Sequence, residues 1–223
     1  MKRFFCVCLL LAMCLCSGAS AVTVPVPQAG DVITFGHYEQ DNVTENGPEP
    51  VEWIVLEVQD GKAWLMSKYC LETVIFYPER IFIYWATSNL RPWMNNEFLN
   101  AAFSPEEQEL ILTTTVKNDN PHGKRHVGDD TEDKIYLLSY DEVLHFMPEL
   151  EDRIAYPTPY AIAQGCTLGD ALGSCRWWTR TPGARDCDVC GVRVDGRMTK
   201  YGMQDVDWPG NTMRPVMWIR VGE

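Results

Sequence analysis

The chain has 223 residues, 46% of them hydrophobic and 11% aromatic, and a formal charge of −12 at pH 7. So large an apolar share supplies a real core and excludes a disordered acidic linker. The excess of carboxylates repels phosphate backbones and anionic membranes, which are bound through clustered Lys and Arg, and this argues against nucleic acid as a partner.

Met1-Lys2-Arg3 is basic, Phe4 to Cys16 is an unbroken apolar run, and Ser17-Gly18-Ala19-Ser20-Ala21 ends in a small-x-small pattern. Together they read as a secretory signal peptide over residues 1–21, cleaved after Ala21. The apolar run is shorter than the roughly 20 residues a spanning helix needs, and no later segment approaches that length. A lipoprotein leader fits less well, because Cys14 follows Met13 and Cys16 follows Leu15 where a small residue is expected. The expectation is one secreted domain over residues 22–223, with no membrane span once the leader is removed.

Along that domain, Val32-Ile33-Thr34-Phe35 begins a strand. Val51 to Val58 is a longer one, and Asp60-Gly61 favours a two-residue hairpin into Lys62 to Ser67. Ser88 can cap a helix through Asn95, with Pro92 tolerated in its first turn. Ser104-Pro105-Glu106-Glu107 is a capping box with proline at the first helical position, predicting a helix to about Leu112. Thr113 to Val116 reads as a strand and Lys117 to Asp133 as a polar loop. Lys134 to Leu138 reads as another strand, running into a second capping box at Ser139-Tyr140-Asp141-Glu142 and a helix through Met147. Thr158-Pro159 starts one more short helix. Strands then return at Arg176 to Arg180, at Gly191 to Val194 with an Asp195-Gly196 turn into Arg197 to Tyr201, and at Thr212 to Val221. Strands at both ends with helices between them predict an α+β domain.

Of nine cysteines, Cys6, Cys8, Cys14 and Cys16 leave with the leader. Cys166, Cys175, Cys187 and Cys190 are the disulfide candidates expected of an exported, loop-rich segment, with three connectivities open. Cys70, following a strand, is expected inside as a small apolar side chain. Sharper alternatives are a redox pair at Cys187-Asp188-Val189-Cys190 or a zinc site using all four, but Cys-x-x-Cys gains meaning only from a strand-to-helix setting or a second matching pair.

No catalytic set, metal site or cofactor motif stands out. His122 and His126 beside Asp129 and Asp130 could hold a divalent metal on a helix, yet Pro121, Gly123 and Gly128 favour an exposed loop. Asp186, Asp188, Asp205 and Asp207 lack the spacing of a calcium loop and read as solvated turn carboxylates. Arg180 and Arg214 read as structural guanidinium forks, and Trp53, Trp93, Trp177, Trp178 and Trp218 as core. Trp208 differs, because it lies in a polar turn-rich loop, Gln204 to Asn211. With Tyr201, Asp205, Asp207 and Arg185 it is the candidate ligand site, where an aromatic face among carboxylates could stack on a sugar or peptide, against the alternative of a plug over the core.

Several segments, taken in order, resemble the family of exported bacterial domains known as domain of unknown function 6273. They are Phe35 to Gln40, Pro50 to Leu56, Leu65 to Tyr69, Ser88 to Asn95, Ala102-Phe103-Ser104, Ile135 to Ser139, Trp177 to Gly183 and Met213 to Ile219. Thr212-Met213 stands where the family's last motif has Gly-Val. More distantly, the closing pattern of Trp-rich strand, hairpin and Arg-containing strand is similar to the C-type-lectin-like fold of formylglycine-generating enzymes. That similarity implies a small twisted antiparallel sheet, chain ends near one another and a long loop region for ligand contacts. The oxidase's Trp-rich signature and its spaced cysteine pair are missing, as are the lectin calcium motifs, so only the fold carries over. The resulting expectation is a secreted, non-enzymatic module that binds an extracellular glycan or peptide. Its rival is an exported enzyme on the same fold, either thiol oxidase-like through Cys187 and Cys190 or a hydrolase.

Overall fold

The Asp60-Gly61 pair forms the tight turn its sequence predicts. Asp60 and Gly61 both take positive φ, at 49° and 70°, the two-residue geometry whose twist matches flanking antiparallel strands. The turn joins β2 (Glu49–Gln59) to β3 (Lys62–Ser67) in an antiparallel ladder. On β2 alternation sets the buried face, with Val51, Trp53 and Val55 inside. In this computed structural model the described residues are 22–118, 128–169, 173–198, 201–202 and 204–222.

On the far side of β2 lies β1 (Val32–Tyr38), with a register shift between Thr34 and His37. Gly36 sits inside that irregularity at φ +69°, a conformation glycine reaches without steric cost. The Trp53 indole donates to the Phe35 carbonyl at 2.7 Å, a buried bond, and the Gly36 N–H donates to Glu107 Oε1 at 3.2 Å. The first sheet thus runs β1, β2, β3 and then the last strand of the domain, all antiparallel.

Both capping boxes form. Ser104 Oγ accepts from the Glu107 N–H while Glu107 accepts from the Ser104 N–H, opening a helix over Pro105–Leu110. It stops short of the expected Leu112, whose N–H instead donates to the Trp218 carbonyl. Ser139 and Glu142 repeat the motif at the start of the helix Tyr140–Phe146, and Thr158 caps Pro159–Ala163. Ser88 Oγ accepts from the Arg91 N–H, and the helical segment beyond runs as Leu90–Trp93, a π-helical turn Met94–Phe98, and Leu99–Ala102.

The second sheet has five strands. In order they are β4 (Glu72–Thr73), β10 (Thr212–Met213), β7 (Trp177–Pro182), β8 (Asp188–Val192) and β9 (Gln204–Asp205). Only the contact between β10 and β7 is parallel. Every residue of β7 and β8 is buried, so their polar groups need internal partners. Thr179 donates to the Cys190 carbonyl, the Tyr140 N–H donates to Thr181, and the Arg180 fork clamps Glu142. A two-stranded ribbon, β5 (Thr114–Val116) with β6 (Thr131–Asp133), completes the sheets. Short helices alongside mostly antiparallel sheets make this an α+β domain.

Three expectations are corrected. The strand expected over Lys134 to Leu138 falls earlier, at β6, and Tyr136 makes only an isolated bridge to Val216. Side-chain bonds pin that stretch instead, with Asn95 Oδ1 accepting from the Lys134 and Ile135 N–H groups. At Asp195-Gly196 the chain does turn, but the second arm amounts to one bridge, Val192 to Met198, and the strand that pairs with β8 is β9. The strand expected over Thr212 to Val221 divides at Arg214-Pro215 into β10 and β11 (Val216–Arg220). Proline lacks the N–H that a continuous ladder requires, and β10 and β11 belong to different sheets.

Trp53, Trp85, Trp177 and Trp178 are fully buried, whereas Trp93 and Trp218 are only half-buried. Trp218 stacks on Trp64 across the β3/β11 pairing, with centroids 5.7 Å apart. The Gly222 N–H donates to the Val24 carbonyl at 2.8 Å, so the first and last described stretches meet. Among the described residues no helix is long and apolar enough to cross a membrane. Residues 1–21 lie outside the described residues.

Candidate functional site

Beyond β7 the chain turns through Arg185 and returns as β8. Arg185 straddles Asp188 with two short bonds, at 2.7 and 2.8 Å, and reaches Asp205 at 3.3 Å. Arg80 closes the group from the other side, pairing with Asp205 and standing 3.8 Å from Asp207. The carboxylates of the expected ligand loop are therefore brought together, but around two guanidinium groups. Arg80 was not among the sequence candidates. Its place in a polar Pro78-Glu79-Arg80 turn of an acidic chain was the one local hint that it would seek a carboxylate.

Cys187 sits in the same cluster, its Sγ 3.9 Å from Asp188 and 3.8 Å from Asp205. Ligand atoms of Cys187, Asp188 and Asp205 lie within 4.8 Å of one another, but the two arginines already balance this negative charge. Cys190 Sγ points elsewhere, donating to the Pro182 carbonyl at 3.7 Å within the buried strand. The two sulfurs of the Cys-x-x-Cys thus face different partners. Cys70, Cys166, Cys175, Cys187 and Cys190 are free thiols, and Cys166 and Cys175 gather with Cys70 instead. The His122 and His126 pair lies outside the described residues, and neighbouring Asp130 is engaged by Lys117.

Tyr201 and Trp208 are the two most exposed aromatic side chains near this loop, at 64% and 42%. Trp208 is followed by Pro209, which forms one wall of a concavity of about 370 Å³ lined also by Glu72, Thr73, Val74, Ile75, Leu90, Asn89 and Trp93. Two elements build it. The stretch after β4 is held down by Val74 and Phe76 N–H groups donating to Asn211 and Val206 carbonyls, and by the Trp178 indole donating to the Val74 carbonyl. The helical segment from Leu90 brings Asn89 and Trp93 to the other side, its register fixed by the Leu90 N–H on the Phe76 carbonyl and by Trp93 stacking on Phe98 at 6.1 Å.

Glu72 is the ionisable group of this concavity. Its carboxylate accepts from the Tyr38 hydroxyl. Burial pushes the Glu72 carboxyl above the ordinary range, with the Tyr38 bond opposing in part. Burial, then the Glu72 charge, pushes the Tyr38 hydroxyl far up, so it stays a donor. Thr73 is spoken for, donating to the Ala161 carbonyl at 2.6 Å. The surface offered is one aromatic face, an exposed amide, a carboxyl and an apolar floor. An array of this kind can stack on a ring and accept or donate a few directed hydrogen bonds. Sequence reading missed the concavity because its walls come from distant segments, and because Trp93 was assigned to the core.

The fold and this concavity define a small α+β domain with a shallow polar-aromatic hollow beside an arginine-carboxylate loop. Residues 60–221 match the family described as domain of unknown function (DUF6273), and the chain belongs to that family. No curated protein and no solved structure matches the chain.

Proposed function

We propose that this domain is a secreted, non-enzymatic binding module of C-type-lectin-like fold, and that it takes a neutral, hydroxyl-rich ligand of the carbohydrate class. The observation that carries the reading is the convergence of Trp93, Asn89 and Glu72 in one open concavity, with Pro209 in its wall and the exposed Trp208 preceding Pro209 in the chain. A half-buried indole face gives stacking area, and an amide beside a carboxyl matches the paired hydroxyls of a sugar ring. The net negative charge and Glu72 disfavour an anionic ligand. Export rests on the basic start, the apolar run and the small-x-small end of residues 1–21. The lectin-like assignment rests on the Trp-rich closing strands and remains an analogy of architecture.

Purified protein screened on glycan and peptide arrays, then titrated with the best ligand, tests this. The expected result is saccharide binding that falls at least about tenfold in Asn89→Ala and Trp93→Ala, with a smaller loss in Trp208→Ala. Circular dichroism confirms folding of each variant, and the exposed Asn89 gives a change that leaves the core alone. Peptide binding sensitive to the same substitutions would replace the sugar with a peptide. Binding indifferent to all three, or no binding, would remove the concavity as the site.

A further inference from the structure

Arg214 is buried, and among the described residues no carboxylate pairs with its charge. Its Nε donates to the Ser67 carbonyl at 3.2 Å and its Nη2 to the Lys68 carbonyl at 3.4 Å, while Nη1 has no hydrogen-bond partner. Trp177 lies under the guanidinium, 5.1 Å from its carbon. A buried cation left like this is costly unless an anion stands close by. The groups that face it are the thiols of Cys70 and Cys175. Lys68, whose carbonyl accepts from Arg214, has its own charge paired with Glu52 at 3.1 Å.

The backbone brings three sulfurs to this point. The Cys70 N–H donates to the Tyr156 carbonyl, and the Cys175 N–H to the adjacent Ala155 carbonyl, so one short segment holds both. Cys175 also bridges Leu168, two residues past Cys166. The Cys175 sulfur is 3.5 Å from Thr212 Oγ1, and its thiol interacts with those of both Cys70 and Cys166. The arrangement is a line with Cys175 in the middle. Cys70 and Cys175 are fully buried, and Cys166 is half-exposed. Groups of three ligand atoms mutually within 4.8 Å occur elsewhere among the described residues, at Cys187/Asp188/Asp205 and Glu39/Asp41/Glu49, and not here. A linear set suits sulfur exchange better than a shared metal.

We propose that Cys166, Cys175 and Cys70 form a thiol–disulfide exchange site in which Cys166 and Cys175 are the oxidisable couple and Cys70, beside Arg214, takes up the Cys175 proton. Burial alone would push the Cys70 thiol up, but the bond from Cys175, the Arg214 charge and the Thr212 hydroxyl outweigh it and bring it below the usual thiol value. Its bonds to Cys166 and Cys70, with burial added, hold the Cys175 proton tightly. The couple reacts with an external disulfide. Cys166, the accessible thiol, attacks one of its sulfurs and releases the first external thiol. The Cys175 sulfur then attacks Cys166, passing its proton to Cys70 as the second external thiolate leaves. That thiolate ends protonated when Cys70 returns its proton. Two protein thiols are oxidised, and one disulfide is reduced to two thiols.

The test uses the reduced protein and oxidised glutathione, with acid quenching, alkylation and mass mapping across a range of pH. The expected product is a Cys166–Cys175 bond with Cys70 alkylated after denaturation. In Cys70→Ser the same bond forms, but its rate–pH profile moves to higher pH, and a thiolate absorbance step below the usual thiol range disappears. Cys187→Ser and Cys190→Ser keep both the profile and the step. A different pairing, no bond between Cys166 and Cys175, or a profile unmoved by Cys70→Ser would overturn the proposal. The near-isosteric serine guards against misfolding, and the absorbance step in the unsubstituted protein is an independent reading.

Discussion

Arg180 clamps Glu142 with two parallel bonds, from Nη1 to Oε2 at 2.5 Å and from Nη2 to Oε1 at 2.8 Å. The same guanidinium donates to the Leu137 and Lys117 carbonyls, and the same Glu142 Oε2 accepts from the Ser139 N–H. One ion pair therefore locks the central strand of the second sheet to the start of a helix. Planar forks make such bidentate contacts and an ammonium cannot. Glu142→Gln is expected to cost about 3 kcal/mol in denaturant unfolding, because the Arg180 charge is left buried without its partner. A loss comparable to that of an exposed pair would show that water replaces the contact.

Glu72 links stability to acidity. Its carboxyl is raised by burial in the folded chain, so folding holds that proton more tightly than the unfolded chain does. The stabilisation from this group is full below the unfolded carboxyl value and is lost as pH rises through the folded one. Glu72→Gln, which keeps an acceptor for Tyr38, should leave acid stability unchanged and raise the melting temperature near neutrality. Melting curves for the two proteins across pH 3 to 8 check this, and parallel curves would contradict it.

Gly36 occupies a position no other residue fits. A β-carbon there would lie 2.5 Å from the Phe103 ring and 2.6 Å from the Ala102 carbonyl, on a backbone already at φ +69°. Gly36→Ala is expected to cost at least about 2 kcal/mol, from left-handed strain and overpacking combined. Gly47, also left-handed but with open space around it, is the control, and its alanine variant should lose only about 1 kcal/mol.

The two helix caps should separate by burial. Ser104→Ala and Ser139→Ala each remove the acceptor for an N3 amide, at a typical cost of about 1 kcal/mol. Ser139 is buried, and its partner Glu142 also serves Arg180, so its loss should be the larger in chemical denaturation.

What the sequence disclosed was local. Asp60-Gly61 announces its turn because positive φ at both residues is a property of the dipeptide itself, and the boxes at Ser104 and Ser139 are complete within four residues. Arg180 and Arg214 were expected to be structural, and both are buried. Features that depend on distant segments were hidden. Thr212 to Val221 has the apolar pattern of one strand; Pro215 interrupts its ladder, and only the neighbours, β7 on one side and β3 on the other, assign its two halves to different sheets. Trp93 has a core composition around it, yet one face opens because Pro209 arrives from more than a hundred positions away. The cysteines were grouped by nearness in sequence, which joined Cys166 and Cys175 to Cys187 and Cys190, whereas folding sets them beside Cys70.

The passage of residues 212–220 from the interior of one sheet to the margin of the other has a bearing on how the chain is made. A ribosome delivers β1, β2 and β3 early, but β3 then presents a bare rim until β11 emerges, and β4 and β7 have nothing to hold them side by side until β10 does. Neither layer can finish ahead of its companion. The nascent polypeptide must stay unaggregated with two open templates until residues 212–220 have been made, so the two sheets close together and not one after the other.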